Sequence, residues 1–212
     1  MRKAERTRKA ALDAAANLLA DQGYHRTSLE DVAGKIEMRG PSLYYYFASK
    51  DELVEAVLTA GLDEARETMT AAMAANPSAN GAEMLAAAVR GYFRSIHHKS
   101  DVTRANIRCY YEVPSDFRQR LRSKMRSFIE IWEEIIETGV NDGSLRNDIE
   151  PAMASRLILA ALNYTAQRRN QSATDVESME HHLLGMVLGG FVAEDVPVGF
   201  APSTDDVPLM RS

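Results

Sequence analysis

Between one glycine, proline or Ser/Asn signal and the next, the apolar residues of this chain recur every three or four positions and nowhere alternate in twos. That period is the imprint of amphipathic helices and leaves no half-buried strand, so the expected fold class is all-α, with about nine helices. Leu12, Ala15, Ala16 and Leu19 place a helix over 2–22, stopped by Gly23. Thr27-Ser-Leu-Glu30 reads as a capping box with Thr27 as cap, opening a short helix through Val32, Ala33 and Ile36. Gly40-Pro41 opens a third that buries Leu43 and Phe47, and Ser49-Lys-Asp-Glu52 caps a long fourth to about Ala75. Beyond the loop 76–81, helices are expected over 80–98, around Ile107 to Tyr111, from Pro114 to Gly139, and over 151–168 and 174–192. Residues 193–212 hold three prolines and several acids and should form a mobile tail.

A chain of 212 residues can bury a proper core, and its single cysteine, Cys109, excludes an intrachain disulfide. No run of 18 apolar residues and no apolar segment behind the charged N-terminus is present, so neither a membrane span nor export is expected, and the location implied is cytoplasmic. The net charge of −5 is unevenly spread: residues 1–50 carry nine Lys and Arg against six acids, and the remainder 16 against 24. A basic module at 1–50 on an acidic body at 51–192 is the organisation this suggests.

The informative stretch is 24–53. Two short helices joined by about three residues have the form of a helix-turn-helix. Tyr44, Tyr45 and Tyr46 cannot all be buried on so short a second helix, and exposed phenols beside arginine suit a phosphate-lined groove. Lys50 sits in a first helical turn, where the macrodipole disfavours a cation unless an anion arrives.

Residues 5–58 resemble the DNA-binding module of the TetR family of bacterial transcriptional regulators. The likeness lies in the basic first helix, Gly-Tyr before the Thr cap, Ala33, and the run Leu-Tyr-Tyr-Tyr-Phe-Ala-Ser-Lys-Asp-Glu-Leu at 43–53. The resemblance implies a homodimeric repressor, or less often an activator, on a palindromic double-stranded operator. By position, Thr27 and Ser28 would touch the DNA backbone. Arg39, Gly40, Pro41 and Ser42 would approach bases, Tyr44 and Tyr45 would hold phosphates or bases, and Lys50 would hold phosphate. Arg39 replaces the Ser or Thr of many members and can pair bidentately with guanine, worth about 1–3 kcal/mol of discrimination. Pro41 offers only apolar contact, and the family's usual histidine near Tyr45 is absent.

The resemblance also implies an effector pocket and a dimer interface within 51–192. Apolar and aromatic candidates for the pocket are Met69, Tyr92, Phe93, Tyr110, Phe128 and Trp132, with Met73, Met84 and Ile96 as further possibilities. Arg118, Arg122 and Arg126 lie on one helical face, so Arg122 is a candidate for an anionic effector such as an acyl-CoA. Gly139 to Pro151 and Leu162-Asn-Tyr-Thr resemble the C-terminal domain of acyl-CoA-sensing members. For dimerisation the last two helices offer Leu157, Ile158, Ala161, Leu183, Met186 and Val187 as half of an isologous four-helix bundle.

Two other readings compete: a helix-turn-helix protein governed by a protein partner without a small ligand, and a redox sensor through Cys109, whose thiol Arg108 could acidify. The pairs His97-His98 and His181-His182 point about 100° apart on a helix and make no chelating site, so no metal, cofactor or catalytic residue is expected.

Overall fold

The computed structural model describes residues 3–98, 101–166 and 172–192. Nine helices run through them: α1 Lys3–Arg26, α2 Leu29–Lys35, α3 Gly40–Leu43, α4 Lys50–Ala74, α5 Gly81–His97, α6 Val102–Cys109, α7 Ser115–Asn141, α8 Pro151–Thr165 and α9 Ala173–Phe191. Among the described residues the only β-type pairing is an isolated bridge between Leu145 and Val192. The expected tail at 193–212 lies outside the described residues, as does the end of the helix expected over 151–168.

Two expectations about helix ends are corrected. Gly23 does not stop α1 but kinks it, at φ 81° and ψ 178°, after which helical hydrogen bonding resumes for one turn to Arg26. The capping box of α2 is Ser28 with Asp31, not Thr27 with Glu30. Thr27 is buried and donates its hydroxyl to the Gly23 carbonyl at 2.8 Å, so that hydroxyl is already engaged and the cap passes to the next residue. Ser49 caps α4 as expected by accepting from the Glu52 amide, while the Glu52 carboxylate takes the Ala48 amide.

Two buried clusters share the chain. The first joins α1–α3 and the start of α4 to α6 and the head of α7, around Leu19, Leu43, Phe47, Leu58, Cys109 and Phe117. The second joins the far half of α4 to α5, α7, α8 and α9, around Met69, Phe93, Trp132 and Ile158. The basic N-terminal module is therefore seated on the body by packing, with α4 running through both cores. Where α4 meets α6 the helices approach so closely that a Cβ at Gly61 would overlap the Val102 carbonyl oxygen, and Asn106 fastens the contact by donating to Leu58 O at 2.9 Å.

Candidate nucleic-acid interface and effector cavity

Glu37, with a left-handed φ of 55°, turns the chain between α2 and α3. Arg39 precedes α3 in an extended conformation, and Pro41 sits in the first turn. Leu43 and Phe47 are fully buried, which fixes the outward face of this single turn. Arg39, Pro41 and Ser42 are exposed on it, with Gly40 half-buried. Tyr44 is 50% and Tyr45 85% exposed, whereas Tyr46 packs against the core, so two of the three tyrosines face outward.

Beside them lies a notch of about 420 Å³ walled by His25, Arg26, Ser28, Tyr44, Ser49 and Lys50, with Thr27 at its back and Glu30 on its rim. The expected role of Thr27 needs amendment. The Thr27 side chain is spent inside the fold. Lys50 Nζ lies 4.0 Å from the centroid of the Tyr24 ring, a cation-π contact that supports a cation where the helix dipole opposes one. Tyr24 in turn donates its hydroxyl to Asp51 at 2.7 Å. Burial and the neighbouring Asp51 carboxylate push its pKa up to about 12, so it is a neutral donor. Sequence reasoning missed Tyr24, His25 and Arg26.

In the body, a cavity of about 350 Å³, within the size range of small-molecule sites, opens between α4, α5, α6, α7 and α8. Of the expected residues, Tyr92, Tyr110 and Phe128 line it, together with Leu62, Met125, Ile129 and Leu159. Its polar groups are Asn106, Asn163 and Arg156, the one cation of the lining. Tyr92 donates its hydroxyl to Asn163 Oδ1 at 2.7 Å, and burial raises its pKa well above the ordinary tyrosine value. Met69, Phe93 and Trp132 do not line the cavity: all three are fully buried packing. Trp132 backs the wall, its ring 6.0 Å from Tyr92 and 6.4 Å from Phe128, with a buried indole N–H that has no hydrogen-bond partner among the described residues.

Arg122 also lies away from the cavity, exposed on α7. The basic run around it is largely engaged: Arg120 pairs with Glu55 at 2.9 Å, Lys124 with Asp63 at 3.1 Å, and Arg126 with Glu130 at 2.7 Å. The i, i+4 pattern shows the common face of Arg118, Arg122 and Arg126 but not the acids that α4 brings to the neighbouring Arg120 and Lys124.

Of the six expected interface residues, Ile158, Leu183 and Val187 face the chain's own core. Ala161 is half-buried, while Leu157 and Met186 stand 60% and 61% exposed. Met153 and Tyr164 join them, completing an apolar stripe along α8.

Cys109 is buried, its thiol within 3.6 Å of Leu19 O. Burial, reinforced by Glu112, pushes its pKa up to about 12 and outweighs the nearby Arg108. A thiol so protonated is a poor nucleophile, which removes the basis of the redox reading. His97 is depressed to about 4 by burial and by the neighbouring His98 and Arg104 charges, and its Nε2 sits 2.9 Å from Thr165 Oγ1. Its folded pKa is below the ordinary 6.5, so the unfolded chain takes the proton first as pH falls. The stability His97 confers is complete above about pH 6.5 and is lost between there and about 4. We expect thermal melts of His97→Gln to lose less stability than wild type across that window; parallel pH profiles would refute the assignment.

Comparison with known proteins follows the same division of the chain. The family model described as bacterial regulatory proteins, tetR family, matches residues 11–57, and the tetracyclin repressor-like C-terminal domain matches 78–188. The HTH-type transcriptional repressor KstR2 of Rhodococcus jostii is 29% identical over 200 residues, covering 86% of this chain and 89% of the relative. The fatty acid metabolism regulator protein of Bacillus subtilis is 20% identical over 184 residues, covering 84% and 92%. Among solved structures, AibR in complex with isovaleryl coenzyme A and operator DNA superimposes with a TM-score of 0.74 at 20% identity, covering 84% of this chain and 96% of that one.

Proposed function

The chain belongs to the TetR family of bacterial regulatory proteins, DNA-binding transcriptional regulators rather than enzymes, and on that premise we propose that it is a ligand-responsive repressor that grips a palindromic operator as a homodimer. The observation that carries this reading is the outward face of α3, where Arg39, Ser42, Tyr44 and Tyr45 stand exposed on a turn held from behind by Leu43 and Phe47. Arg39 reads a base; Tyr44, Tyr45 and Lys50 hold the backbone, joined by Arg26 and His25 at the notch. The exposed stripe Met153, Leu157, Tyr164 with Met186 supports an isologous contact between α8 and α9 of two copies. No described helix is long and apolar enough to cross a membrane.

The effector occupies the cavity lined by Tyr92 and Phe128, and the ligand class favoured is apolar, acyl thioesters included. The apolar lining and the likeness to a regulator solved with isovaleryl coenzyme A support this. Such a ligand releases DNA by favouring a separation of the two heads that no longer matches the half-sites. A regulator that answers to a protein partner alone would have no use for the cavity.

The test is binding to DNA of the chain's own upstream region at several salt concentrations. Arg39→Ala should relax discrimination at one base pair, with a loss of about 1–3 kcal/mol there. Lys50→Ala should weaken all sequences alike and reduce the slope of log K against log salt by about one. Unchanged base preference in the Arg39 variant removes that residue from readout, and absence of any specific binding defeats the operator assignment.

A further inference from the structure

We propose that His25 makes operator binding proton-linked: its imidazole takes up a proton as the notch beside α3 receives a DNA phosphate, so that affinity rises as the pH falls through the imidazole range. This rests on the reading of the notch as a grip on the operator backbone. His25, Arg26 and Lys50 share the lining of that notch, with Glu30 its single acid among the described residues. The ring nitrogens of the exposed His25 have no hydrogen-bond partner among the described residues, so both are available to an arriving oxygen. The segment that carries them is pinned. Tyr24 donates its amide to Glu112 at 2.6 Å and its hydroxyl to Asp51 at 2.7 Å, and Gln22 Nε2 donates to the Arg26 carbonyl at 2.9 Å. The His25 ring meets the Tyr24 ring edge-on at 5.3 Å, and Lys50 Nζ lies 4.0 Å from the centroid of that same ring. One fixed phenol thereby positions both groups.

A proton on His25 in the free protein adds a third positive charge to those of Arg26 and Lys50. Most of the neighbouring acids are already engaged. Asp31 of α2 accepts from the Ser28 amide and hydroxyl, and Asp51 of α4 accepts from the Tyr24 hydroxyl. Behind Tyr24, Glu112 takes the amide and lies 4.0 Å from Arg108, while Asp116 acts on the Tyr24 phenol from the head of α7. Glu30 stands exposed on the rim, and Tyr44 brings a second phenol to the lining. A phosphodiester supplies the missing counter-charge. It stays singly ionised throughout the neutral range, so a proton taken up on binding belongs to the protein. A hydrogen bond from imidazolium to phosphate is charge-assisted and roughly twice as strong as one from the neutral ring. By linkage, the phosphate favours the proton as much as the proton favours the phosphate.

The full-length chain is titrated by fluorescence anisotropy against a labelled duplex from its own upstream region and against an unrelated duplex at low salt, from about pH 8 to about pH 6. A phosphate contact carries no sequence information, so wild type should tighten on both duplexes, by about threefold to tenfold. His25→Gln should erase most of that rise. His25→Arg, charged throughout, should bind at about pH 8 as tightly as wild type does at about pH 6. Calorimetry in buffers of different ionisation heat should show a proton uptake by wild type that His25→Gln lacks. Parallel pH profiles for wild type and His25→Gln, with Lys50→Ala still weakening both duplexes, overturn the role of His25 while the notch stands. Unchanged affinity in both Lys50→Ala and His25→Gln at every pH overturns the notch reading and the proton link with it.

Discussion

Phe47→Ala is expected to abolish operator binding through the position of α3 rather than through any lost contact with DNA. A four-residue helix with no side-chain cap is far below the length that sustains itself in water. Its orientation is set by Leu43 and Phe47, both with no exposed surface, and the Arg8 guanidinium lies 5.0 Å from the Phe47 ring centroid. Removing a buried phenylalanine costs about 3–5 kcal/mol, a large part of the roughly 5–15 kcal/mol by which a domain is stable. Calorimetry should show a lowered melting transition, and fluorescence anisotropy with operator DNA should show binding lost at temperatures where α5, α7, α8 and α9 remain helical. Tyr45→Ala is the matched control, since its ring is almost wholly exposed: binding should weaken while the melting temperature stays within a degree or two. Retained operator affinity in Phe47→Ala would show that α3 holds its place without this anchor.

Gly23→Ala should be costly for two separable reasons. At φ 81° and ψ 178° the backbone lies in a region essentially reserved for glycine, which costs about 1–3 kcal/mol for any other residue. A Cβ there would also lie 2.5 Å from a carboxylate oxygen of Glu112. The kink turns the Tyr24 amide out of the helix, and that amide is the donor Glu112 accepts. Gly143→Ala supplies the comparison, because Gly143 has φ 79° but, among the described residues, no atom within 4 Å of where an alanine Cβ would stand. Chemical denaturation should place Gly23→Ala well below Gly143→Ala. Equal losses would mean that Glu112 moves aside at no cost.

Helices and their order were legible because a period of 3.6 with glycine, proline and Ser/Asn punctuation is a local property. What was not legible depends on distant partners. Thr-Ser-Leu-Glu-Asp at 27–31 contains two overlapping capping boxes, and only the Gly23 carbonyl taking the Thr27 hydroxyl selects the second. Arg118, Arg122 and Arg126 of α7 share a face in sequence, yet Glu55 and Asp63 reach the neighbouring Arg120 and Lys124 from more than 60 positions away. Helices α8 and α9 are apolar on most sides, so periodicity could not tell Ile158, which faces inward, from Leu157, which faces out. Met69, Phe93 and Trp132 are of the right type for a cavity wall and lie one layer behind it, a distinction set by packing alone.

With 25 residues, α4 is about 37 Å long, a span close to one turn of the DNA double helix. Its far half belongs to the body core and its first turns to the head, so it acts as a beam clamped at one end and loaded at the other. Rotating such a beam by about five degrees displaces its tip by roughly 3 Å, comparable with the rise of one base pair. On the proposed function, a side-chain shift too small to alter the fold at the clamped end would thereby move α3 from one step of the groove to the next.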